Sequence, residues 1–178
     1  MILNFRWSLG QITPFLGSKD FSALKLWANI KFFGKRKISE LIDQRIELTE
    51  YVQNAVDQKE DLLRLNSTDI NSVMIIFLPS KKNVHALTHR DMQKINDATK
   101  FIVESLTEDG EYFVHKFPLS NVASLVIPSN CATWVIRLMN GNPLTKRQDI
   151  DGLLAKTIQL GWDFMKMKGN SISAMPFY

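Results

Sequence analysis

The sequence contains very little cysteine and no long uninterrupted apolar run. Its single cysteine, Cys131, has no partner in the chain for a disulfide and cannot supply the cysteine pair of a structural zinc site. This usage fits a reducing compartment, so we expect a cytoplasmic protein. No segment is apolar for long enough to span a bilayer, and residues 1–16 lack the basic head and continuous apolar stretch of a signal peptide. Secretion and a membrane partner are therefore not expected.

The sequence also lacks a large excess of positive or negative charge. The 22 basic and 18 acidic residues leave a net charge of +4, which is far from a polybasic arm. Lys31, Lys35, Arg36 and Lys37 gather around a predicted helix end and its following turn, where cations meet the negative end of the helix dipole. A solvated turn explains them, whereas nucleic-acid binding would require a continuous patch. We expect no nucleic-acid partner.

The apolar residues that are present suffice for one core and begin with two predicted helices. With 178 residues, of which 45% are hydrophobic, one domain is the natural count. Apolar residues recur at helical spacing from Asp20 to Phe33, and Gly34 supplies a stop; a second stripe runs from Ile38 to about Asp57. Residues 1–16 are apolar and punctuated by glycine and proline. Such a stretch would normally be covered, so we expect further sequence to precede it.

The remainder of the chain predicts a small layer of sheet and helices. Val73 to Leu78 is a short apolar run ended by proline, typical of a buried strand, and Thr88 with Asp91 resembles the cap of a helix. Three antiparallel strands are then expected at residues 111–117, 122–127 and 132–139, and a last helix runs from a capping box at residues 145–148 to Gly161. The predicted fold class is α+β, with two leading helices followed by a βαβββα order whose antiparallel sheet packs against helices.

Few residues carry a pattern typical of catalysis or metal binding. His85 and His89 are four residues apart and could share a helix face, but no Glu or Cys stands at a useful spacing, so we expect no metal site. His115 lies in an alternating aromatic strand, which favours a packed or rim histidine. Cys131 has no predicted basic neighbour to activate it, so a small buried residue is the better interpretation.

Arg137 is the exception among these candidates. Period-two alternation places Trp134, Ile136 and Leu138 on one face of its strand and Arg137 on the other. An arginine within an apolar strand is costly unless its guanidinium reaches water or an anion, and its planar fork suits a carboxylate. An exposed arginine or an internal salt bridge is the alternative interpretation.

Two groups of residues resemble sequence motifs of a known enzyme family. Residues 22–27 read Ser-Ala-Leu-Lys-Leu-Trp and are followed by Gly34. They are similar to the Asp-Ala-Leu-Lys-x-Trp segment and later glycine of the group II pyridoxal-phosphate-dependent amino-acid decarboxylases, which include glutamate and aromatic amino-acid decarboxylases. The second group is similar to the family's closing Phe-Arg, Asn-Pro-x-x-Thr and Asp-x-x-x-Leu-Leu sequence. It comprises Val135-Ile136-Arg137-Leu138, Asn142-Pro143-Leu144-Thr145 and the segment from Asp149 to Gly161. The resemblance covers residues 18–161 and implies the carboxyl-terminal part only.

The resemblance implies where the chemistry would take place. In this family pyridoxal phosphate forms a Schiff base with the lysine of a His-Lys pair in the large domain, upstream of the Ala-Leu-Lys-x-Trp segment. The pair His115-Lys116 lies downstream of that segment, so it is not expected to be that lysine. The full-length enzyme would therefore use pyridoxal phosphate, while this chain alone would bind none and be catalytically incompetent, with no catalytic residue of its own.

The same resemblance implies an organisation and a role for Arg137. Residues 1–60 would link to the large pyridoxal-phosphate-binding domain, residues 61–161 would form the small domain, and residues 162–178 a tail. Arg137 matches the arginine that contacts the substrate carboxylate in glutamate decarboxylases. The implied partners are the large domain, a small amino-acid substrate and a second copy in a homodimer. A free-standing interaction or regulatory module descended from the same small domain is the alternative.

Two departures from the family pattern leave the substrate open. Residues 19–22 read Lys-Asp-Phe-Ser where the family has Arg-Arg-x-Asp, and Ile136 stands where the family has an aromatic residue before the arginine. These changes are compatible with a diverged or inactive relative.

Overall fold

The computed structural model describes residues 21–68, 70–79, 87–120 and 132–168. The chain divides into two compact units, Met1–Leu41 and Ile42–Tyr178. In the described ranges the elements are α1 (Ser22–Asp57), β1 (Leu62–Arg64), β2 (Ser72–Phe77), α2 (His89–Asp109), β3 (His115–Leu119), β4 (Thr133–Met139) and α3 (Arg147–Met167). None of these helices is long and apolar enough to cross a membrane.

Glycine interrupts α1 where the sequence predicts a stop. Gly34 has φ 71° and ψ 162°, a conformation outside the helical range that residues with a Cβ rarely adopt. The prediction of two leading helices separated at Gly34 is confirmed. The four residues Leu48, Thr49, Val52 and Val56 of the second half are buried, so this half supplies one wall of the core.

The strands form one antiparallel sheet in the order β1-β2-β4-β3, and the α+β prediction is confirmed. The predicted strands at 73–78 and 132–139 correspond to β2 and β4, while the prediction for 122–127 lies outside the described residues. The prediction missed β1, a three-residue strand too short to give a periodic pattern. The strand predicted at 111–117 corresponds to β3, but both predicted ends are wrong: the strand begins at His115 and continues through Pro118, which pairs with Trp134. In the described sheet β3 pairs only with β4, and an edge position tolerates proline.

The two faces of the sheet differ in their surroundings. The face that we call the helix face carries Val73, Ile75, Phe77, Ile136 and Leu138, which pack in one cluster with buried residues of α1, α2 and α3. The opposite face, which we call the second face, carries Arg137. A smaller cluster contains Ile76 and Val135 of this face, together with Leu78 and with Met92 and Ile95 from the first turns of α2.

The helix ends confirm one predicted cap and correct another. The Thr88 hydroxyl accepts from the Asp91 amide at 3.2 Å and the Asp91 carboxylate accepts from the Thr88 amide at 3.0 Å, which is the predicted reciprocal cap of α2. The predicted cap of α3 at Thr145 is wrong, because Lys146 is the N-cap and its amide donates to Asp149 at 2.8 Å. Lysine has no side-chain acceptor, so only half of the reciprocal arrangement forms.

The predicted end of α3 at Gly161 is also wrong, because the helix continues to Met167. Gly161 lies inside the helix, where a Cβ atom would come within 2.5 Å of the ring of Phe77. Phe77 is fully buried. The glycine therefore permits close approach of α3 to β2 and is not a helix stop.

Gly161→Ala should destabilise the protein by up to about 2 kcal/mol. The added methyl overpacks the contact with Phe77 at a cost of about 1–3 kcal/mol, and alanine offsets about 1 kcal/mol of this through its higher helix propensity. Urea unfolding followed by circular dichroism measures the difference. Gly141→Ala is the control, because its Cβ would lie at an ordinary 3.6 Å from Asn71. Greater stability of Gly161→Ala than of wild type would contradict the close-approach interpretation.

Candidate functional site around Arg137

The candidate site lies in the middle of β4, on the second face of the sheet. Arg137 pairs in register with Met74 of β2 on one side and with His115 of β3 on the other. Directly paired residues project from the same face, so these two side chains flank the guanidinium. Arg137 is half-buried and His115 is exposed. The His115 ring contacts Phe113 edge to face, with 4.9 Å between the ring centroids.

One hydrogen bond orients the guanidinium of Arg137. Its Nε donates to the hydroxyl of Ser72 at 3.0 Å. Among the described residues, none accepts a hydrogen bond from either Nη group of Arg137. Within the described ranges, the arrangement therefore leaves two cationic donors side by side for an anion, which is the pattern that binds a carboxylate through both oxygens.

The start of β2, which carries Ser72, is fixed by Asn66. The side-chain nitrogen of Asn66, Nδ2, donates to the backbone carbonyl of Ser72 at 3.0 Å. The side-chain oxygen of Asn66 accepts from the backbone amide of Met74 at 2.7 Å. Arg64 in turn donates to the Asn66 carbonyl at 2.7 Å. The hydrogen bonds that Asp57 accepts from this guanidinium raise the pKa of Arg64. The side chain of Asn66 thus continues the hydrogen bonding of β2 beyond the end of β1.

Arg45 of α1 holds the turn that follows β4. Its Nη1 donates to the carbonyl of Asn142 at 2.5 Å and to the carbonyl of Thr145 at 3.2 Å. The buried Asn140 side chain donates to the Thr49 hydroxyl at 3.2 Å. The motif residues 142–145 are therefore tied to α1 through their backbone, and this attachment fixes the end of the strand that carries Arg137.

The pair His115-Lys116 divides between the two faces of the sheet. Lys116 follows His115 along β3 and therefore projects from the helix face, where its ammonium pairs with Glu104 of α2. Arg137 and Lys116 thus lie on opposite sides of the sheet. The two residues of this dipeptide do not share a pocket.

The other sequence candidates are placed as follows. His89 is exposed at the start of α2, whereas His85 and Cys131 lie outside the described residues. No group of three His, Cys, Asp or Glu side chains that could hold a metal occurs in the part of the chain that the structure describes. Arg36 and Lys37 pair with Glu40 on the exposed surface.

Comparison with known proteins relates the fold of this chain to the folds of solved decarboxylases. No protein-family model matches the chain. The aspartate 1-decarboxylase of Aliivibrio fischeri is 25% identical over 144 residues, which are 78% of this chain and 26% of that protein. The crystal structure of mouse CSAD in the apo form matches with a TM-score of 0.70 and 21% identity, over 88% of this chain and 31% of that one.

Two further solved structures agree with this match. The decarboxylase domain of the Vibrio parahaemolyticus diaminobutyrate-pyruvate transaminase and L-2,4-diaminobutyrate decarboxylase gives a TM-score of 0.62 at 15% identity, covering 83% of this chain and 27% of that one. Oryza sativa TDC, solved with PLP and tryptamine, gives a TM-score of 0.61 at 17% identity, covering 80% of this chain and 27% of that one. The chain has the fold of part of a group II decarboxylase. The predicted resemblance to the group II decarboxylases is confirmed at the level of the fold.

The chain spans only 26% to 31% of the length of these relatives. Sequence reasoning identified Arg137 but missed Ser72, Asn66 and Arg45, which surround it or fix its strand. No sequence signal marks Ser72, since its contact with Arg137 joins residues 65 positions apart and exists only because of the strand register.

Proposed function

We propose that this chain is the carboxyl-terminal part of a pyridoxal-phosphate-dependent amino-acid decarboxylase and supplies the substrate-carboxylate side of its active site. The observation that carries the proposal is the pair of Nη donors of Arg137, which no described residue engages, on the second face of a sheet with the group II decarboxylase fold. A guanidinium in this position can bind and orient the carboxylate of an amino acid.

The cofactor would be held by another part of the enzyme. Pyridoxal phosphate, when bound, supplies the electron sink for loss of carbon dioxide. Lys116 does not fit the role of the cofactor lysine: it belongs to a His-Lys pair, but its ammonium pairs with Glu104 on the face opposite Arg137. This geometry supports a division of labour in which this chain contributes substrate binding and is inactive by itself.

The first half of α1 supports the existence of a large partner surface. Its large apolar side chains point in nearly all directions around the helix and are 46% to 83% exposed; they are Leu24, Leu26, Trp27, Ile30, Phe32 and Phe33. A helix that is apolar all round is normally buried. We propose that the cofactor-binding part of the enzyme covers it, in a cytoplasmic protein that pairs with a second copy as a homodimer.

The test is to locate the cofactor lysine in the native protein. The protein is purified from its source cells with borohydride present, and pyridoxyl-lysine is mapped by peptide mass spectrometry. We expect the label on a lysine outside residues 1–178, either in a polypeptide larger than 20.4 kDa or in a co-purifying chain. The purified 178-residue chain, reduced with one equivalent of pyridoxal phosphate, should carry no site-specific label.

Two outcomes would contradict the proposal. One is a stoichiometric pyridoxyl label on a lysine within these residues, and the other is a native protein that carries no pyridoxyl-lysine at all. Lys116→Arg is the matched control, because it keeps the charge that pairs with Glu104 and removes the only lysine of a His-Lys pair. Labelling of the native protein should be the same in this variant.

A further inference from the structure

The contact between Ser72 and Arg137 determines which edge of the guanidinium is open. A guanidinium can bind a carboxylate through Nε and one Nη, side-on, or through both Nη groups, end-on. In this protein the Nε hydrogen is already donated to the Ser72 hydroxyl at 3.0 Å. With respect to the residues that the structure describes, the end-on edge is therefore the edge of Arg137 that keeps two hydrogen-bond donors for an anion.

Ser72 is held firmly enough to act as a fixed acceptor. Its carbonyl accepts from Asn66, and the preceding carbonyl, of Asn71, accepts from the Asn140 amide at 2.9 Å. Ser72 itself pairs with Met139 at the first position of β2. The backbone on both sides of the hydroxyl is thus hydrogen-bonded, which limits the positions that the hydroxyl can reach.

The neighbours of Arg137 favour the same edge. Met74 and His115 stand beside it on the second face, one on each adjacent strand, with Cβ atoms about 4.5–5.5 Å away in such pairs. These side chains obstruct a lateral approach along the sheet. Arg137 is only half-buried, so part of its side chain is exposed to solvent.

We propose that Ser72 is a positioning residue that makes Arg137 present its two Nη groups end-on to a planar two-oxygen anion. The anion is the carboxylate of the amino-acid substrate, and the carboxylate plane lies in the plane of the guanidinium. This inference rests on the proposed function for the identity of the anion. The hydrogen bond and the end-on edge are properties of this chain alone and are tested on it alone.

The experiment is ¹⁵N NMR of the Arg137 side chain in the full chain. In wild type the Nε hydrogen should exchange slowly with water; Ser72→Ala should make this exchange about tenfold faster, because the acceptor is lost. Ser72→Thr keeps a hydroxyl in a residue suited to a strand, and should restore slow exchange. The backbone amide spectrum of each variant verifies that the sheet is intact.

Acetate serves as the probe anion in the same samples. In wild type and in Ser72→Thr it should shift the Nη signals of Arg137 and leave Nε unchanged, whereas in Ser72→Ala it should shift Nε as well. Equal Nε exchange in wild type and Ser72→Ala, or an acetate-induced Nε shift in wild type, would overturn the inference. Neither result affects where pyridoxyl-lysine maps, so failure of this inference and failure of the proposed function are distinguishable.

Discussion

Replacing Arg137 by alanine in the intact enzyme should lower kcat/KM by about 100-fold or more, since a charge-assisted two-point contact with a carboxylate commonly contributes a few kcal/mol. The cofactor absorbance should be unchanged, because the proposal places the cofactor in another part of the enzyme. Arg137 is half-buried and its one described hydrogen bond goes to Ser72. Its removal should therefore affect turnover much more than folding.

Two further variants make this result specific. Arg137→Lys keeps the charge but loses the planar fork, so it should recover only part of the lost activity. Arg147→Ala is the control, because that guanidinium stacks over Tyr51 at 5.0 Å on α3 and is not part of the site. Unchanged kcat/KM in Arg137→Ala would remove Arg137 from the site while leaving the fold assignment intact.

Replacing Phe77 by alanine should cost about 3–5 kcal/mol of unfolding free energy, the range for removing a buried aromatic ring from a core. Phe77 is fully buried in the cluster of the helix face and contacts the ring of Trp162 edge to face, with 5.9 Å between centroids. Small domains have total stabilities of about 5–15 kcal/mol, so a large share of the stability would be lost. Chemical denaturation of both proteins gives the difference.

A matched aromatic control and a double variant sharpen the test. Phe113→Ala removes the same ring from a position that is 75% exposed, and its cost should stay within about 0.5 kcal/mol. Combining Phe77→Leu with Gly161→Ala should cost less than the sum of the two single changes, because the ring that obstructs the alanine is gone. Strict additivity would show that the two residues are not coupled in the way that their geometry requires.

The parts of the fold that could be predicted are those that local chemistry decides. Gly34 breaks a helix because its φ is positive, and Gly110 ends α2 for the same reason, with φ 73°. The reciprocal cap at Thr88 and Asp91 involves neighbours in sequence. Period-two alternation also placed Arg137 opposite Ile136 and Leu138, as the core cluster of the helix face confirms.

The parts that could not be predicted depend on contacts between distant segments. A glycine such as Gly161 is typical of a helix end, yet here it lies inside α3. Phe77 of β2 occupies the space that a Cβ atom at this position would need. A proline such as Pro118 is typical of a turn, yet here it lies in a strand. The strand tolerates it because β3 is at the edge of the described sheet. The partner of Arg137 depends on the register that brings Ser72 near it. The role of Arg137 in substrate binding stays a prediction.

The hydrogen bonds from Arg45 to residues 142–145 indicate a structural role for this Asn-Pro-Leu-Thr motif. The guanidinium donates only to main-chain oxygens there. This contact therefore connects α1 to the segment after β4 and does not depend on the side chains of residues 142–145. Under the proposed function, selection of the amino-acid substrate would then depend on side chains outside residues 142–145.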